Sequence, residues 1–434
     1  VSLGQYERVE GNNMRYNIVE YGAIASEDFV NTEVIANTIK DCKSNGGGTI
    51  YIPTGKYKTG SIRLYSNMTL FLEAGAELFF VNDVSVFPVI NTRWEGTEMD
   101  CYQSCIYGRD SHNIRITGYG TINGNGHLWW QRFKDNTLAY PRPTLVSFVN
   151  VKQVEISNIK VTNSPSWTLH PLLCENVTID NVTIVNPKDS PNTDGINPES
   201  CSGVKISNCY IDVGDDCIAI KSGIETAEAL IPCKNIDIVN CTMIHGHGGV
   251  VIGSEMSGSV QNVTISNCCF QDTDRGIRFK SLRGRGGVVE DIVISNIIME
   301  NTLCPFIMNL YYNCGSGGNL DTAGIKESLP VTEQTPIIRN VAISNVIAKK
   351  VSVAGFFYGL AEMPIDTVTF HNIRVDIKKE DTPVLPAMLA DAEPMQQAGF
   401  YLRNAKNIVF DNVKINGAKN EMFDIGSESD VKFR

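Results

Sequence analysis

VKISNCYI (204–211) is one copy of a phrase that recurs along the chain, apolar-x-apolar-x-Asn-apolar-x-apolar. The other copies are VEISNIKV (154–161), VTIDNVTI (177–184), IDIVNCTM (236–243), VTISNCCF (263–270), IVISNIIM (292–299), VAISNVIA (341–348), VTFHNIRV (368–375) and IVFDNVKI (408–415). The central asparagine falls at 158, 181, 208, 240, 267, 296, 345, 372 and 412, mostly 23 to 32 residues apart, with two longer intervals that mark insertions. A period in this range is the signature of a solenoid. The two-residue alternation on either side of the asparagine sends successive side chains to opposite faces, so each turn is built from strands. Asparagine tolerates left-handed geometry at a corner, and its amide bonds the backbone and the next asparagine along the stack. These residues therefore read as a corner ladder and carry no chemistry. The fold class is all-β, a parallel β-helix in a single domain spanning 1–434, right-handed by the rule for parallel crossovers.

Upstream, residues 17–80 read as an N-terminal cap with the first strands. Val34, Ile35, Ile39 and Cys42 have helical spacing from Thr32 to Lys43, with Asn31 or Thr32 as N-cap. Gly46–Gly48 end the helix, and TIYIP follows as a strand. A cap of this kind covers the open end of a stack of strands. Repeat turns occupy 105–425, with surface-loop insertions near 313–335 and 378–398. Segments 82–104 and 125–143 are expected to project as irregular loops, the second carrying Trp129, Trp130 and Arg142.

The formal charge of −11 argues against a nucleic-acid partner, and any binding of an anion must be local. No apolar run has the length of a membrane span. The opening VSLGQYERVEGNN has no leader pattern, although a first residue of Val leaves an upstream segment open. The 13 cysteines cannot all pair with one another; Cys209, Cys241 and Cys268 share one repeat position, and no CxxC spacing occurs. They read as small core fillers in a reducing compartment. The expected location is cytoplasmic, or outside the cell if a leader was removed. A homo-oligomer is left open.

Four clusters interrupt the scaffold at one-turn intervals: Asn192-Thr193-Asp194, Gly214-Asp215-Asp216, Gly246-His247-Gly248 and Arg278-Phe279-Lys280. Adjacent acids on an ideal strand face opposite ways, and a buried carboxylate is costly. Gly214 supplies a bend that brings both to the outer face. Carboxylates this close raise at least one pKa, which suits a general acid. For the acid pair alone, a hydrated turn or calcium site is the simpler account; its value comes from register with Asp194. His247, between glycines, can hold a carboxylate's protonation state, with His245 as the competitor. Arg278 and Lys280, two apart, face one side of a strand.

In this order, NTDG, GDD, GHGG and R-x-K on a β-helix resemble the family 28 glycoside hydrolases, the polygalacturonases and rhamnogalacturonan hydrolases. YGA, GGGTIYIPTGKY and LEAGAEL near the N-terminus extend the likeness over nearly the whole chain. NTDGINPES, VGDDCIAIKSG and GHGGVVIGSE look most like the bacterial exo-acting branch. Phe279 departs from the aliphatic residue of many members, and its side chain is expected to point away from the cations. The resemblance implies inverting hydrolysis of α-1,4 bonds between galacturonates. Asp215 would be the general acid, and Asp194 and Asp216 the pair that activates water. His247 would tune the acid, and Arg278 and Lys280 would bind a galacturonate carboxylate. Asn192 belongs to the same motif, and Tyr312 matches a substrate-side tyrosine, with Tyr311 equally near. Trp167, Trp129 and Arg142 are candidates for sugar stacking or carboxylate contact. The implied partner is an acidic polysaccharide or oligosaccharide, with no cofactor and no metal. Alternatives are a rhamnogalacturonan or modified-uronide hydrolase, a calcium-dependent lyase, and a non-catalytic carbohydrate-binding β-helix.

Overall fold

Ile156, Ile179, Ile206, Ile238, Ile265, Ile294 and Ile343 pair in unbroken register across successive parallel strands, and Phe370 and Phe410 continue the column. All are buried. The apolar positions flanking the asparagines thus stack on their counterparts one turn away, as a parallel β-helix requires. The computed structural model describes residues 8–9 and 13–434, except 316, 318, 381, 390 and 420. The reading of the opening residues as lacking a leader lies largely outside them.

The coil is a right-handed parallel β-helix whose turns stack as three runs of parallel strands, described as three sheets. One runs through Leu169–Leu172, Ile218–Ile220, Val250–Ile252, Arg275–Lys280, Cys304–Asn309, Val353–Tyr358 and Ala398–Arg403. Single bridges through Ile196 join its first two strands. The second contains Glu175–Asp180, Ser202–Ser207, Cys233–Val239 and Val260–Ser266, and the third Thr183–Val185, Tyr210–Val213, Thr242–His245 and Cys269–Gln271.

The asparagine corner lies between the second and third sheets. All nine central asparagines have φ between 50° and 58°, in the left-handed region. Their amides form the ladder: Asn181 Nδ2 donates to Asn158 Oδ1 at 2.8 Å, Asn296 to Asn267 at 3.1 Å and Asn372 to Asn345 at 2.8 Å. Asn208 departs from the pattern and donates to Asp180 Oδ1. A second left-handed corner precedes each second-sheet strand core, through Asn113, Asn176, Asn235, Asn262 and Asn340. Sequence reading did not identify it, because Gln153, Asp291 and Thr367 take the same place and hide the repeat.

The coil starts earlier than the asparagine phrase does. Gly48–Ile52 pairs in parallel with Met68–Leu72, which pairs with residues 114–118. The helix Thr32–Ser44 buries Ile35, Thr38, Ile39 and Cys42. Asn31 precedes it but makes no side-chain cap. Its side chain instead accepts from Ile24 N and donates to Ile24 O and Lys58 O, which ties the helix to the coil. The 13 cysteines are unpaired, and all but Cys269 and Cys314 are buried.

Two segments expected to be irregular are ordered elements. Residues 82–104 contain an antiparallel hairpin, Val89–Trp94 with Thr97–Tyr102. Residues 125–143 contain the helix His127–Lys134. Its Trp129 is fully buried against Phe87 and Tyr102, so it is a core residue and has no face for a sugar.

Candidate active site

The four clusters converge where the chain turns into the first sheet. Backbone hydrogen bonds stack the turns: Thr168 N donates to Asp194 O at 2.9 Å, Gly195 N to Asp216 O at 3.0 Å and Cys217 N to Gly248 O at 2.8 Å. Two glycines let the turns approach. A Cβ on Gly214 would lie 2.6 Å from both Pro187 O and Ser190 O, and one on Gly246 would lie 2.6 Å from Cys217 Sγ. The glycine beside the acid pair is thus required by contact with the preceding turn. The bend it permits frees Asp215 and Asp216 from strand alternation.

Asp194, Asp215 and Asp216 each offer an oxygen within 4.8 Å of the other two. Such a group could hold a cation, but here protein cations already face it. Lys280 Nζ donates to Asp216 Oδ2 at 2.9 Å, and Arg278 Nη1 lies 3.5 Å from Asp216 Oδ1. Burial alone would raise the Asp216 pKa, but Lys280 and Arg278 hold the group well below the usual carboxylate range. Asp194 goes the other way: burial first, then the neighbouring Asp215, push its carboxyl well up, against a hydrogen bond from Asn197 Nδ2 at 2.8 Å. Asp215 reaches furthest into the cleft, with 22% of its side chain exposed against 2% for Asp216. His247 Nδ1 lies 3.4 Å from Asp215 Oδ1, and this hydrogen-bonding contact raises the imidazole to about 9 despite partial desolvation.

These residues line one pocket of about 390 Å³ with Asn192, Trp167 and Tyr312. The rings and cations are interleaved: Arg278 and Lys280 lie 5.7 and 5.3 Å from the Tyr312 centroid. Tyr311 is turned into the interior. His245 pairs with Asp212 at 2.7 Å at the end of the third sheet and is not in the pocket. Phe279 is buried in the core, facing away from the cations as expected.

Arg142, like Trp129, is a correction among the site candidates. Its guanidinium is buried and donates to Pro165 O, Pro191 O and Asn192 Oδ1 at 2.9, 2.8 and 2.6 Å. Those acceptors occupy the fork that a substrate carboxylate would need. Arg142 holds the Asn192 loop in place from behind.

Several pocket residues were missed: Glu95, Lys221, Ser254, Glu255, Cys314 and Met388. Lys221 Nζ donates to Glu255 Oε2 at 2.9 Å in a buried pair, with Lys221 4.9 Å from the Trp167 ring centroid. Burial opposes the charged form of Glu255, yet Lys221 brings its pKa down to about 2. The signal was present in IAIKSG and VVIGSE, where a polar residue follows each short apolar strand.

Three loops wall the pocket. The hairpin places Trp94 in a stack on Trp167 at 5.2 Å and Arg93 Nη1 3.3 Å from Glu199 Oε1. The insertion at 313–335 brings in Cys314 and Gly315. In the insertion at 378–398, Leu385 O accepts from Arg275 Nη2 at 2.6 Å, and Met388 O from Asn309 Nδ2 at 3.2 Å.

Residues 42–382 match the family model described as glycosyl hydrolases family 28. The chain is 34% identical over 385 residues to a probable polygalacturonase of Vitis vinifera, covering 86% of this chain and 76% of that one. It is 28% identical over 340 residues to an endo-polygalacturonase of Pectobacterium carotovorum, covering 74% and 81%. The hyperthermoactive exopolygalacturonase of Thermotoga maritima superposes with a TM-score of 0.76 at 26% identity, over 95% of this chain and 94% of that one. With the carboxylates, imidazole and cations of the four motifs gathered in one cleft of a β-helix, the chain belongs to the glycosyl hydrolases of family 28.

Proposed function

We propose that this protein hydrolyses α-1,4 bonds between galacturonates in polygalacturonate and its oligomers, releasing product from a chain end. The observation that carries the reading is the group of three carboxylates inside a pocket walled by the hairpin and the two insertions. On this reading the three loops block the groove, which then admits a terminus and excludes the middle of a polymer. Lys280 and Arg278 share the single carboxylate of Asp216, which leaves positive charge for a substrate carboxylate. That local excess accommodates a uronate in a chain of net charge −11.

In this mechanism Asp215, the carboxyl most open to the cleft, protonates the glycosidic oxygen. Asp216, kept ionised by its two cations, accepts the proton of the attacking water, which it holds together with Asp194. The imidazolium of His247 beside Asp215 favours departure of the acid's proton. Tyr312 supports the two cations, and Trp167, buried against Trp94 and His170, anchors the hairpin at the pocket and has no open ring face for a sugar.

Inversion is the stereochemistry proposed from the family motifs. Proton NMR of the first product decides: the β-anomer means inversion, the α-anomer retention. Reducing-sugar release from polygalacturonate, with products sized over time, tests the main reading. A single small product supports end-wise action, a ladder of sizes removes it, and no release removes the substrate assignment. We also propose a reducing, cytoplasmic setting, supported by the 13 unpaired cysteines; cell fractionation tests it.

A further inference from the structure

The hairpin tip carries a carboxylate that the cleavage steps do not use. Glu95 lines the same pocket as Asp194 and Asp215, beside Lys221 and Glu255. Its place is fixed from three directions. Trp94 stacks on Trp167, Arg93 is buried against Glu199, and Gly96 abuts Ile224 so closely that a Cβ would lie 2.5 Å from its methyl. Glu95 itself has φ of 46°, a left-handed conformation uncommon outside glycine and asparagine. Backbone held in such a region by its surroundings is concentrated at ligand-binding positions. Burial, and then Glu255, push the Glu95 carboxyl up from its ordinary pKa.

Charge is divided across the pocket. Glu95, Asp194 and Asp215 lie toward the hairpin, where Lys221 is engaged by Glu255. Arg278 and Lys280 come from a later turn. During glycoside hydrolysis, positive charge develops on the sugar whose anomeric carbon is attacked, and the leaving fragment gains none. The cationic side suits the carboxylate of the leaving fragment, which leaves the hairpin side of the pocket for the sugar that is attacked. The non-reducing terminal sugar therefore belongs under the hairpin.

Resting on the galacturonan-hydrolase reading above, we propose that Glu95 reads the chain end. Its carboxylate accepts a hydrogen bond from the 4-hydroxyl of the non-reducing terminal galacturonate, a group that is free only on a terminal residue. The substrate class follows. The enzyme takes saturated ends, such as hydrolysis leaves. It discriminates against 4,5-unsaturated ends, which β-elimination leaves and which have no 4-hydroxyl. A site built to hydrogen-bond a hydroxyl rejects the analogue lacking it far more strongly than an apolar site rejects a missing methylene.

The test compares kcat/KM for saturated and 4,5-unsaturated trigalacturonate in the wild type, Glu95→Gln and Glu95→Ala, with thermal melting to confirm folding. The wild type is expected to prefer the saturated trimer by at least about 100-fold. Glu95→Ala should bring the ratio below about tenfold by losing rate on the saturated trimer alone, and Glu95→Gln, whose amide oxygen still accepts, should fall between. Equal cleavage of both trimers by the wild type, or an equal loss on both in Glu95→Ala, overturns the chain-end role and leaves the hydrolase reading intact. If neither trimer nor polygalacturonate is cleaved, the hydrolase reading falls and this inference with it.

Discussion

At the scale of single residues, the site is three like-charged groups kept apart by their neighbours. Asp216 has two cations, Asp215 has His247, and Asp194 accepts from the Asn197 amide and has a raised pKa. Asp194→Asn should therefore stabilise the fold by about 1 kcal/mol while lowering kcat, because it removes a buried like charge and keeps an acceptor for Asn197. Melting and turnover measured on the same preparation check it; a fall in Tm would contradict the burial argument. Asp215→Asn should lose about 10²–10⁴ in kcat with substrate binding retained, read by calorimetric titration. Substantial remaining turnover would remove it as the acid. Glu255 gives a pH signature. Its folded pKa, about 2, lies below the ordinary glutamate value of 4.5, so its stabilisation is full above about 4.5 and is lost as pH falls toward 2. Glu255→Gln should flatten the pH dependence of denaturation in that window; an unchanged slope would show that the pair with Lys221 is not what depresses it.

At the scale of elements, the asparagine corner explains what sequence could disclose. Asn296, for example, has φ of 57° and donates to Asn267 at 3.1 Å, so both its backbone and its amide are specified locally. Asn296→Ala should cost about 1–2 kcal/mol from the left-handed backbone, and Asn296→Gly should cost less because glycine meets no such penalty. Denaturant titration of both variants separates the backbone from the amide; equal losses would place the whole effect in the hydrogen bond. Because each corner is local and repeated, the coil and the register of Asp194, Asp215, His247 and Arg278 were legible in the sequence. Arg142 was misread because its partners, Pro165, Pro191 and Asn192, belong to other turns. Glu95 gave no sequence signal at all: its position depends on Trp94 meeting Trp167 and Gly96 meeting Ile224, contacts between distant parts of the chain.

At the scale of the whole molecule, the β-helix supplies an open groove and the loops decide how much of it a polymer can use. The first sheet runs from Ile62–Arg63 through residues 146–149 and Leu169–Leu172 to Phe423–Ile425, past the turns that carry the pocket on both sides. A substrate lying along that sheet would have to pass the hairpin on the earlier turns or the insertion at 378–398 on the later ones. The hairpin is the better test because it is a separate two-stranded sheet, pinned by Trp94 and Arg93, whose removal leaves the stacked turns paired as before. Replacing residues 91–100 with a two-residue Asn-Gly turn keeps the outer pairs Val89–Tyr102 and Ile90–Cys101 and removes Arg93, Trp94, Glu95 and Gly96. Early products from polygalacturonate should then change from one small species to a range of sizes, with a faster fall in viscosity for each bond cut. The variant must melt cooperatively for the comparison to stand, since Glu199 and His170 lose the guanidinium that shares their buried network. If a folded variant still yields a single product, the hairpin is not what closes the groove, and end-wise action would have to rest on the two later insertions.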